Sequence, residues 1–391
     1  MRQVPTLDAV PLEPPPPTGF VDAASYLSPA FFEREMRDVF SRVWVLVGDT
    51  DELENPGDFL AEFVGYEPVL VLRGTDGELR AFSNVCPHRA CTLLEERGNC
   101  GDIIECPYHG WSFRLDGSLA GVTARKQLLA SPDGLGLQPL RVATFERFVF
   151  VNVSGDAPPL DEYLEDVPAL LANHHIRPQR RMSACDDVVD VNWKIFIENA
   201  NDDYHIPFVH DATLRDSHAG MTFREDLGTA WTNILWSPLN ERGLSLYTIY
   251  EPLEEEARLG SYAIDVFPNL IFLAFPDGGV MTMRWTPLGL TRTRARVQGY
   301  SHSEPHSVDD AAYAAVMRAI QDEDYAVVGR VQDGLRSRLY RPGPAHYLEQ
   351  RVQRFQARLR ALLAEHVGST EPAPARVASA PLPNGVEISD G

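Results

Sequence analysis

Two short segments of this sequence each bring a cysteine and a histidine close together. In the first, CPHR, one residue separates Cys86 from His88, and in the second, CPYHGW, two residues separate Cys106 from His109. Thiolate and imidazole groups at short spacings commonly bind zinc, but zinc pairs are usually spaced more widely than the first pair. A two-iron, two-sulfur cluster with two cysteines on one iron and two histidines on the other needs one ligand of each kind from each loop. The two segments therefore favour such a cluster over zinc.

A further pair of histidines lies in the segment NWKIFIENANDDYHIPFVH, where four residues separate His205 from His210. Two histidines, one carboxylate and open coordination positions form the site of non-haem iron(II) oxygenases. The later segment AIQDEDYAVVGRVQDGL offers Asp322, Glu323 and Asp324 as carboxylates. Taken alone, the two histidines are equally well explained as ordinary polar residues at a helix end. The three acids are likewise explained as a solvated patch, because a metal assignment needs a full set of ligands.

Composition limits the class of protein. The chain has 391 residues, 44% of them hydrophobic and 23% charged, and a formal net charge of -21. That charge disfavours partners such as nucleic acids and anionic membranes, which require clustered Lys and Arg. Four of the five cysteines fall between residues 86 and 106, unlike a secreted disulfide scaffold. We therefore expect a reducing compartment, the cytoplasm, with no signal peptide and no membrane span.

The pattern of the chain changes near residues 44 and 154. Residues 1–20 are proline-rich and predict a flexible arm, after which Ser28 is a plausible N-cap of a helix. Residues 44–153 contain short apolar runs separated by turn sequences, which predicts a compact all-β domain. Residues 154–366, together with 21–43, predict a larger domain, and residues 367–391 a disordered tail. Within the larger domain the sequence predicts a helix over 161–174, strands over 232–239, 244–252, 262–275 and 280–289, and closing helices over about 308–335 and 345–365.

CPHR and CPYHGW closely resemble the Rieske family. The run NWK, EN and D-x-x-H-x-x-x-x-H resembles the catalytic motif of the large (alpha) subunits of Rieske non-haem iron oxygenases, of the aromatic-ring-hydroxylating type. The resemblance extends over roughly residues 25–365. It implies an α+β fold: an all-β Rieske domain inserted near the N-terminus of a larger catalytic domain, in which helices pack on an antiparallel sheet (helix-grip, START-like). It also implies one 2Fe-2S Rieske cluster and one mononuclear Fe(II).

The resemblance also assigns residues to these sites. It implies cluster ligands Cys86, His88, Cys106 and His109, and iron ligands His205 and His210. The family's third iron ligand is an aspartate followed eight residues later by Gln-x-Gly-Leu, which fits Asp324 with Gln332, while Asp322 is the alternative. Tyr108 stands where high-potential Rieske proteins have a second extra cysteine, so Cys91 cannot form their disulfide clamp.

The same resemblance implies how the two sites communicate. Asp202 would relay electrons between His109 of one subunit and His205 of its neighbour, with Asp203 as the adjacent alternative that points off that face. Such a relay implies a homotrimer, with or without a small beta subunit. Asn199 would hydrogen-bond near the open iron site, or would simply be a polar residue at a helix end.

The function implied is that of a terminal oxygenase component. Electrons would come from a separate NAD(P)H-dependent reductase or ferredoxin, because the chain has no G-x-G-x-x-G before a helix. The first expectation for the substrate is an aromatic compound, cis-dihydroxylated or monohydroxylated. The alternative is a monooxygenase that demethylates or hydroxylates a methylated (quaternary ammonium) amine or an ether. A second alternative is an electron carrier without catalysis.

Overall fold

The computed structural model describes residues 22–217, 223–226, 230–302 and 309–365. The predicted N-terminal arm, residues 1–20, and the predicted tail, residues 367–391, lie outside the described residues. The first described elements are helices α1 (Ala24–Leu27) and α2 (Pro29–Arg34), followed by a π-helical turn at Glu35–Val39. Ser28 is the N-cap of α2 as predicted, because its side chain accepts a hydrogen bond from the Phe31 amide.

Short antiparallel strands follow, as predicted for the all-β region. They are β1 (Val45–Asp49), β2 (Asp58–Val64), β3 (Glu67–Arg73), β4 (Leu79–Ser83), β5 (Arg97–Asn99), β6 (Ile103–Glu105), β7 (Ser112–Arg114), β8 (Leu119–Gly121), β9 (Pro139–Phe145) and β10 (Phe148–Asn152). Within the described residues they form a seven-stranded sheet, ordered β1-β10-β9-β4-β3-β2-β5, and a three-stranded sheet, β6-β7-β8. Gly117, with φ of 82°, provides the left-handed residue that the β7–β8 turn requires.

The remainder of the chain combines a second sheet with helices. Its strands are β11 (Arg180–Val189), β12 (Arg224–Asp226), β13 (Thr232–Pro238), β14 (Gly260–Val266), β15 (Leu270–Ala274), β16 (Val280–Gly289) and β17 (Arg292–Ser301). Its helices are α3 (Leu160–Leu164), α4 (Val167–Leu171), α5 (Trp193–Ala200), α6 (Ile206–Val209), α7 (Glu241–Leu244), α8 (Glu255–Leu259), α9 (Asp310–Gly334) and α10 (Gln350–Glu365). Among the described residues the sheet is antiparallel with the order β11-β17-β16-β15-β14-β13-β12. The predicted α+β architecture is thereby confirmed.

Three local predictions were wrong. The segment 262–275 is not one strand but two, β14 and β15, separated by a turn at 267–269. The segment 244–252 is not a strand: it leaves α7 and continues without regular structure, with Leu246 and Tyr247 facing a cavity instead of a neighbouring strand. Residues 161–174 do not form one helix, because the backbone of Glu165 turns left-handed (φ of 54°) between α3 and α4. The Glu165 carboxylate accepts hydrogen bonds from the Ala230 amide and the Thr232 hydroxyl, which holds the break in place.

The helix that leads into the second histidine pair is fixed by buried polar contacts. Lys194 on α5 pairs with Glu35 at 2.6 Å, and both side chains are fully buried. The Asn192 side chain caps α5, and its backbone amide donates to the side chain of Gln332 on α9 at 2.8 Å. Truncating one partner of such a buried ion pair is generally costly, because it leaves an uncompensated charge. The hydrogen bond between Asn192 and Gln332 joins α5 to α9, and the ion pair joins α5 to the π-helical turn. Both α5 and α9 carry side chains of the site described next.

The two seven-stranded sheets share one continuous core. Phe148 on β10 packs against Phe272 on β15, with 5.0 Å between their ring centroids. A smaller core, which includes Phe82, Trp111 and Phe113, lies behind the loops that carry the Cys-His pairs. None of the described helices is both long and apolar enough to cross a bilayer.

Candidate metal centres

The two Cys-His loops have matching backbone geometry. In the first, the Cys86 amide donates to the Cys91 carbonyl and the Ala90 amide donates to the Cys86 carbonyl. In the second, the Cys106 amide donates to the Trp111 carbonyl and the Gly110 amide donates to the Cys106 carbonyl. Ala90 and Gly110 are both left-handed, with φ of 55° and 67°. Equivalent turns therefore present one cysteine and one histidine from each loop.

The side chains of these loops fit an iron-sulfur cluster. Cys86 and Cys106 are buried, and the rings of His88 and His109 lie 4.8 Å apart. The Nδ1 atoms of both histidines are buried without a hydrogen-bond partner in the described part of the chain, as expected of atoms that bind a metal. Burial opposes ionisation of both cysteines and raises the pKa of Cys86, but hydrogen bonds, chiefly from the amides of Tyr108 and His109, hold the pKa of Cys106 below the usual value. The Cys106 thiolate is therefore favoured, which suits an iron ligand.

His205, His210 and Asp324 converge on one point. The Nε2 atoms of the histidines are 3.3 Å apart, and Asp324 Oδ1 lies 3.7 Å from His205 Nε2 and 3.4 Å from His210 Nε2. The short helix α6 separates the two histidines, and α9 supplies Asp324. One ligand atom from each residue lies within 4.8 Å of the others. Two imidazoles and one carboxylate on one side of a point match the site of non-haem iron(II).

Neighbouring groups orient these three side chains. His210 Nδ1 lies 2.9 Å from Glu323 Oε2, so donation to Glu323 leaves His210 Nε2 for a metal. Glu323 is held in turn by the Ala212 amide at 3.1 Å and by the Thr213 hydroxyl. Asn199 donates to Asp324 Oδ1 at 2.9 Å, so its side chain does point at the predicted site. Burial lowers the pKa of His205, whereas hydrogen bonds with Asp324 and Glu323 outweigh burial at His210 and raise its pKa.

The acidic neighbours of the site face different ways. Asp202 Oδ2 lies 3.9 Å from His205 Nδ1, on the side of the ring opposite Asp324, and burial raises the Asp202 pKa to about 7. Asp203 instead accepts a hydrogen bond from the Ser237 hydroxyl at 2.6 Å and lines the cavity. Asp322 pairs with Arg318 and its side chain is 62% exposed, so it is not among the converging groups.

A cavity of about 790 Å³ begins at His205, His210 and Asp324. One wall is the face of the second sheet that bears Leu235, Ile271, Leu273, Met281 and Met283, and the opposite wall is α9. Its volume is typical of sites that enclose a small organic molecule.

Two family models match the chain. The model described as "Rieske [2Fe-2S] domain" matches residues 43–146, and the model described as "Ring hydroxylating alpha subunit (catalytic domain)" matches residues 170–365. The chain belongs to the Rieske non-haem iron oxygenases. As an oxygenase subunit of that family it binds a Rieske 2Fe-2S cluster and a mononuclear iron. The alternative of an electron carrier without catalysis is wrong, because the catalytic domain is present.

Curated relatives cover most of this Rieske oxygenase. The carnitine monooxygenase oxygenase subunit of Acinetobacter pittii is 27% identical over 81% of this chain and 85% of its own length. The glycine betaine monooxygenase oxygenase subunit of Pseudomonas aeruginosa is 26% identical over 82% and 83%. The chloroplastic choline monooxygenase of Amaranthus tricolor is 29% identical over 84% and 74%.

Solved structures share the fold of the Rieske oxygenase described here. A quaternary ammonium Rieske monooxygenase in complex with L-carnitine superposes with a TM-score of 0.75 at 24% identity, over 89% of this chain and 96% of that one. Naphthalene 1,2-dioxygenase from Rhodococcus superposes with a TM-score of 0.69 at 22% identity, over 88% and 94%. At these identities the likeness establishes the fold alone.

Sequence reasoning named the residues that converge but did not assign the role of Glu323. Its carboxylate fixes His210, yet its position beside Asp324 gave no signal of a role other than that of a competing ligand. Recognising that role required knowing which way His210 Nδ1 points.

We expect Glu323→Gln to weaken iron binding by roughly 10- to 100-fold, because an amide oxygen accepts from His210 Nδ1 less strongly than a carboxylate. The dissociation constant for Fe(II), measured by chelator competition, checks this. Asp322→Asn is the matched control and should leave the constant unchanged. Equal affinity in the Glu323 variant and the parent protein would mean that Glu323 has no orienting role.

Proposed function

We propose that this Rieske oxygenase subunit is the terminal component of a monooxygenase acting on a methylated ammonium compound. The observation that carries the proposal is the charge of the cavity. Among the described residues that line it are Asp203, Asp216 and Asp277 in addition to Asp324, whereas the one Lys or Arg side chain is Arg242. Arg242 already pairs with Asp216 at 2.6 Å. An acidic, partly apolar cavity favours a cation over an anion.

Aromatic side chains add to this preference. Phe196 and Trp285 line the cavity with their rings stacked 6.2 Å apart, and Tyr247 and Phe275 stack at 6.0 Å elsewhere in the lining. Aromatic faces attract quaternary ammonium groups, which cannot donate hydrogen bonds. The names of the curated relatives, carnitine, glycine betaine and choline monooxygenase, support the same substrate class.

The proposal assigns a role to each group of residues. Cys86, His88, Cys106 and His109 hold the cluster, and His205, His210 and Asp324 hold the iron. When bound, the ferrous iron activates dioxygen with electrons that the cluster delivers. Asn199 and Glu323 keep the ligands oriented, and the Asp203 carboxylate, which lines the cavity, attracts the positive charge of the ammonium group.

The assembly is part of the proposal. We place the Rieske domain at 44–153 and the catalytic domain at 21–43 and 154–366, in a homotrimer that receives electrons from a separate reductase or ferredoxin. Asp202 relays between His205 and His109 of a neighbouring subunit. The described cysteines are unpaired, which fits a reducing compartment such as the cytoplasm.

An aromatic substrate is the second candidate. It is favoured by the apolar wall formed by Ile271, Leu273, Met281 and Met283, which would suit a flat hydrocarbon. It is disfavoured by the acidic lining, because an uncharged ring has no charge to complement the carboxylates, and none of the three curated relatives above is named as an aromatic-ring hydroxylase.

Turnover with two substrate sets tests the proposal. The holoenzyme with a compatible reductase and NADH would be incubated with choline, glycine betaine and carnitine, and separately with benzoate and naphthalene. We expect substrate-dependent oxygen uptake and an oxidised product, identified by mass spectrometry, with the ammonium set alone. Hydroxylation of the aromatic set with no reaction of the ammonium set would replace the proposal with the second candidate.

A further inference from the structure

One cavity residue has a polar group that no described contact explains. The hydroxyl of Tyr313 is buried and lacks a hydrogen-bond partner among the described residues. Tyr313 lies on the face of α9 that lines the cavity. A buried hydroxyl without a partner is unfavourable and uncommon in native proteins. The Tyr313 hydroxyl can therefore still donate a hydrogen bond that no described residue accepts.

The sheet makes room for this side chain. A Cβ atom at Gly299 on β17 would overlap the Tyr313 hydroxyl. The backbone of Gly299 does not have a positive φ, so the absence of a side chain matters here for space and not for conformation. Gly299 thus lets the Tyr313 ring lie directly on the sheet, with the hydroxyl at the inner wall of the cavity.

Tyr313 is far from the iron site. It precedes Asp324 by about three turns of α9, or roughly 16 Å along the helix axis. A substrate that reaches both the triad and Tyr313 must therefore be elongated.

The surroundings of Tyr313 select the kind of group it would bind. Burial raises the pKa of Tyr313, and nearby Cys185, Asp277 and Tyr247 raise it further, so its hydroxyl remains a donor. The carboxylate of Asp277 would repel a second carboxylate at this end of the cavity. An uncharged acceptor, such as an alcohol, can accept from the Tyr313 hydroxyl without being repelled by the Asp277 carboxylate.

We propose that the Tyr313 hydroxyl hydrogen-bonds the far end of the substrate, an uncharged polar group that a flexible chain joins to the methylated ammonium group beside the triad. The inference rests on the proposed function and narrows it, because it favours ammonium alcohols longer than choline over compact ammonium carboxylates such as glycine betaine. Tyr313 is then a specificity-determining residue.

A series of matched ligands tests this inference. The probes are (ω-hydroxyalkyl)trimethylammonium ions of increasing length, beginning with choline, each paired with an alkyltrimethylammonium ion that has methyl in place of hydroxyl. KM and kcat would be measured for the reductase-coupled holoenzyme, and dissociation constants by calorimetry without reductant. For the parent protein we expect the preference for alcohol over alkyl partner to peak at a chain longer than that of choline.

Tyr313→Phe removes only the hydroxyl. We expect it to raise KM and the dissociation constant of the best alcohol by about tenfold and to leave its kcat unchanged. The constants of the matched alkyl ion should also be unchanged. Gly299→Ala, which displaces the ring, should likewise abolish the preference for the alcohol.

The contrary results are distinct. If Tyr313→Phe weakens the binding of alcohol and alkyl ions equally, Tyr313 has a structural role. If the preference for alcohol over alkyl ions is unchanged, the hydroxyl contacts only water. Either result overturns the inference. A preference that peaks at choline refutes the predicted length. If the parent protein oxidises the ammonium ions but any of these contrary results is obtained, the proposed function stands without the inference. If it neither binds nor oxidises any ammonium ion, the proposed function itself fails.

Discussion

Asp324→Asn should yield protein that retains its iron-sulfur cluster but has lost most of its mononuclear iron. The carboxylate is the one anionic group among the three that converge, and its Oδ1 lies 3.7 Å and 3.4 Å from the histidine Nε2 atoms. An amide keeps the shape but removes the charge that balances a divalent cation. Oxygenase activity should fall to background, because the iron carries the chemistry.

The cluster should survive because different elements hold it. Its four predicted ligands lie in loops backed by their own small core around Trp111 and Phe113, whereas α9 supplies Asp324. Metal analysis should give about three irons per chain in the parent protein and about two in the variant, by the ligand sets of the two sites. The absorbance and the paramagnetic resonance signal of the reduced cluster should be unchanged.

Asp322→Asn provides the matched control. Asp322 lies on the same helix two residues earlier, and its side chain is 62% exposed. It should keep both metals and full activity. Loss of the cluster in Asp324→Asn, or loss of mononuclear iron in Asp322→Asn, would contradict the two-site assignment. His205→Ala and His210→Ala should behave like Asp324→Asn.

The candidate ligands could be named from the sequence because their signals are local. A Cys-His pair in a short loop and two histidines around a one-turn helix can be read without knowing the fold. The choice between Asp322 and Asp324 has a simple geometric basis. Residues two apart on a helix point about 200° apart, so both side chains cannot face one site. The sequence favoured Asp324 through its spacing to Gln332, and the direction of α9 against α5 turns that side chain inward.

Features that depend on tertiary contacts were not predictable. The alternating residues of 244–252 suited a strand, but no partner strand is present in the described sheet beside them, and Leu246 and Tyr247 line the cavity instead. The pairing of Glu323 with His210 and the space that Gly299 provides for Tyr313 join positions far apart in the chain. The proposed substrate class likewise rests on carboxylates that line one cavity only in the folded chain, whereas the sequence alone first suggested an aromatic compound.

Asp202 and Asp203 allow electron transfer to be separated from substrate binding. The two aspartates are adjacent in sequence but differ in direction: Asp202 lies beside His205 Nδ1, and Asp203 faces the cavity through Ser237. His109 is partly exposed on the Rieske domain, so it can approach a neighbouring subunit. A carboxylate between two imidazoles fixes both rings and shortens the path between the metals.

We expect Asp202→Asn to retain both metals and the parent affinity for substrate, while the cluster of the reduced enzyme is reoxidised by dioxygen at least tenfold more slowly. Stopped-flow absorbance of the cluster in a single turnover measures this rate directly. Asp203→Asn is the matched control, and it should raise KM for the ammonium substrate while leaving the reoxidation rate close to that of the parent, since its carboxylate contacts Ser237 and lines the cavity and does not lie beside His205 Nδ1. If Asp202→Asn reoxidised its cluster at the parent rate, or if Asp203→Asn slowed that step instead, Asp202 would not be the relay residue.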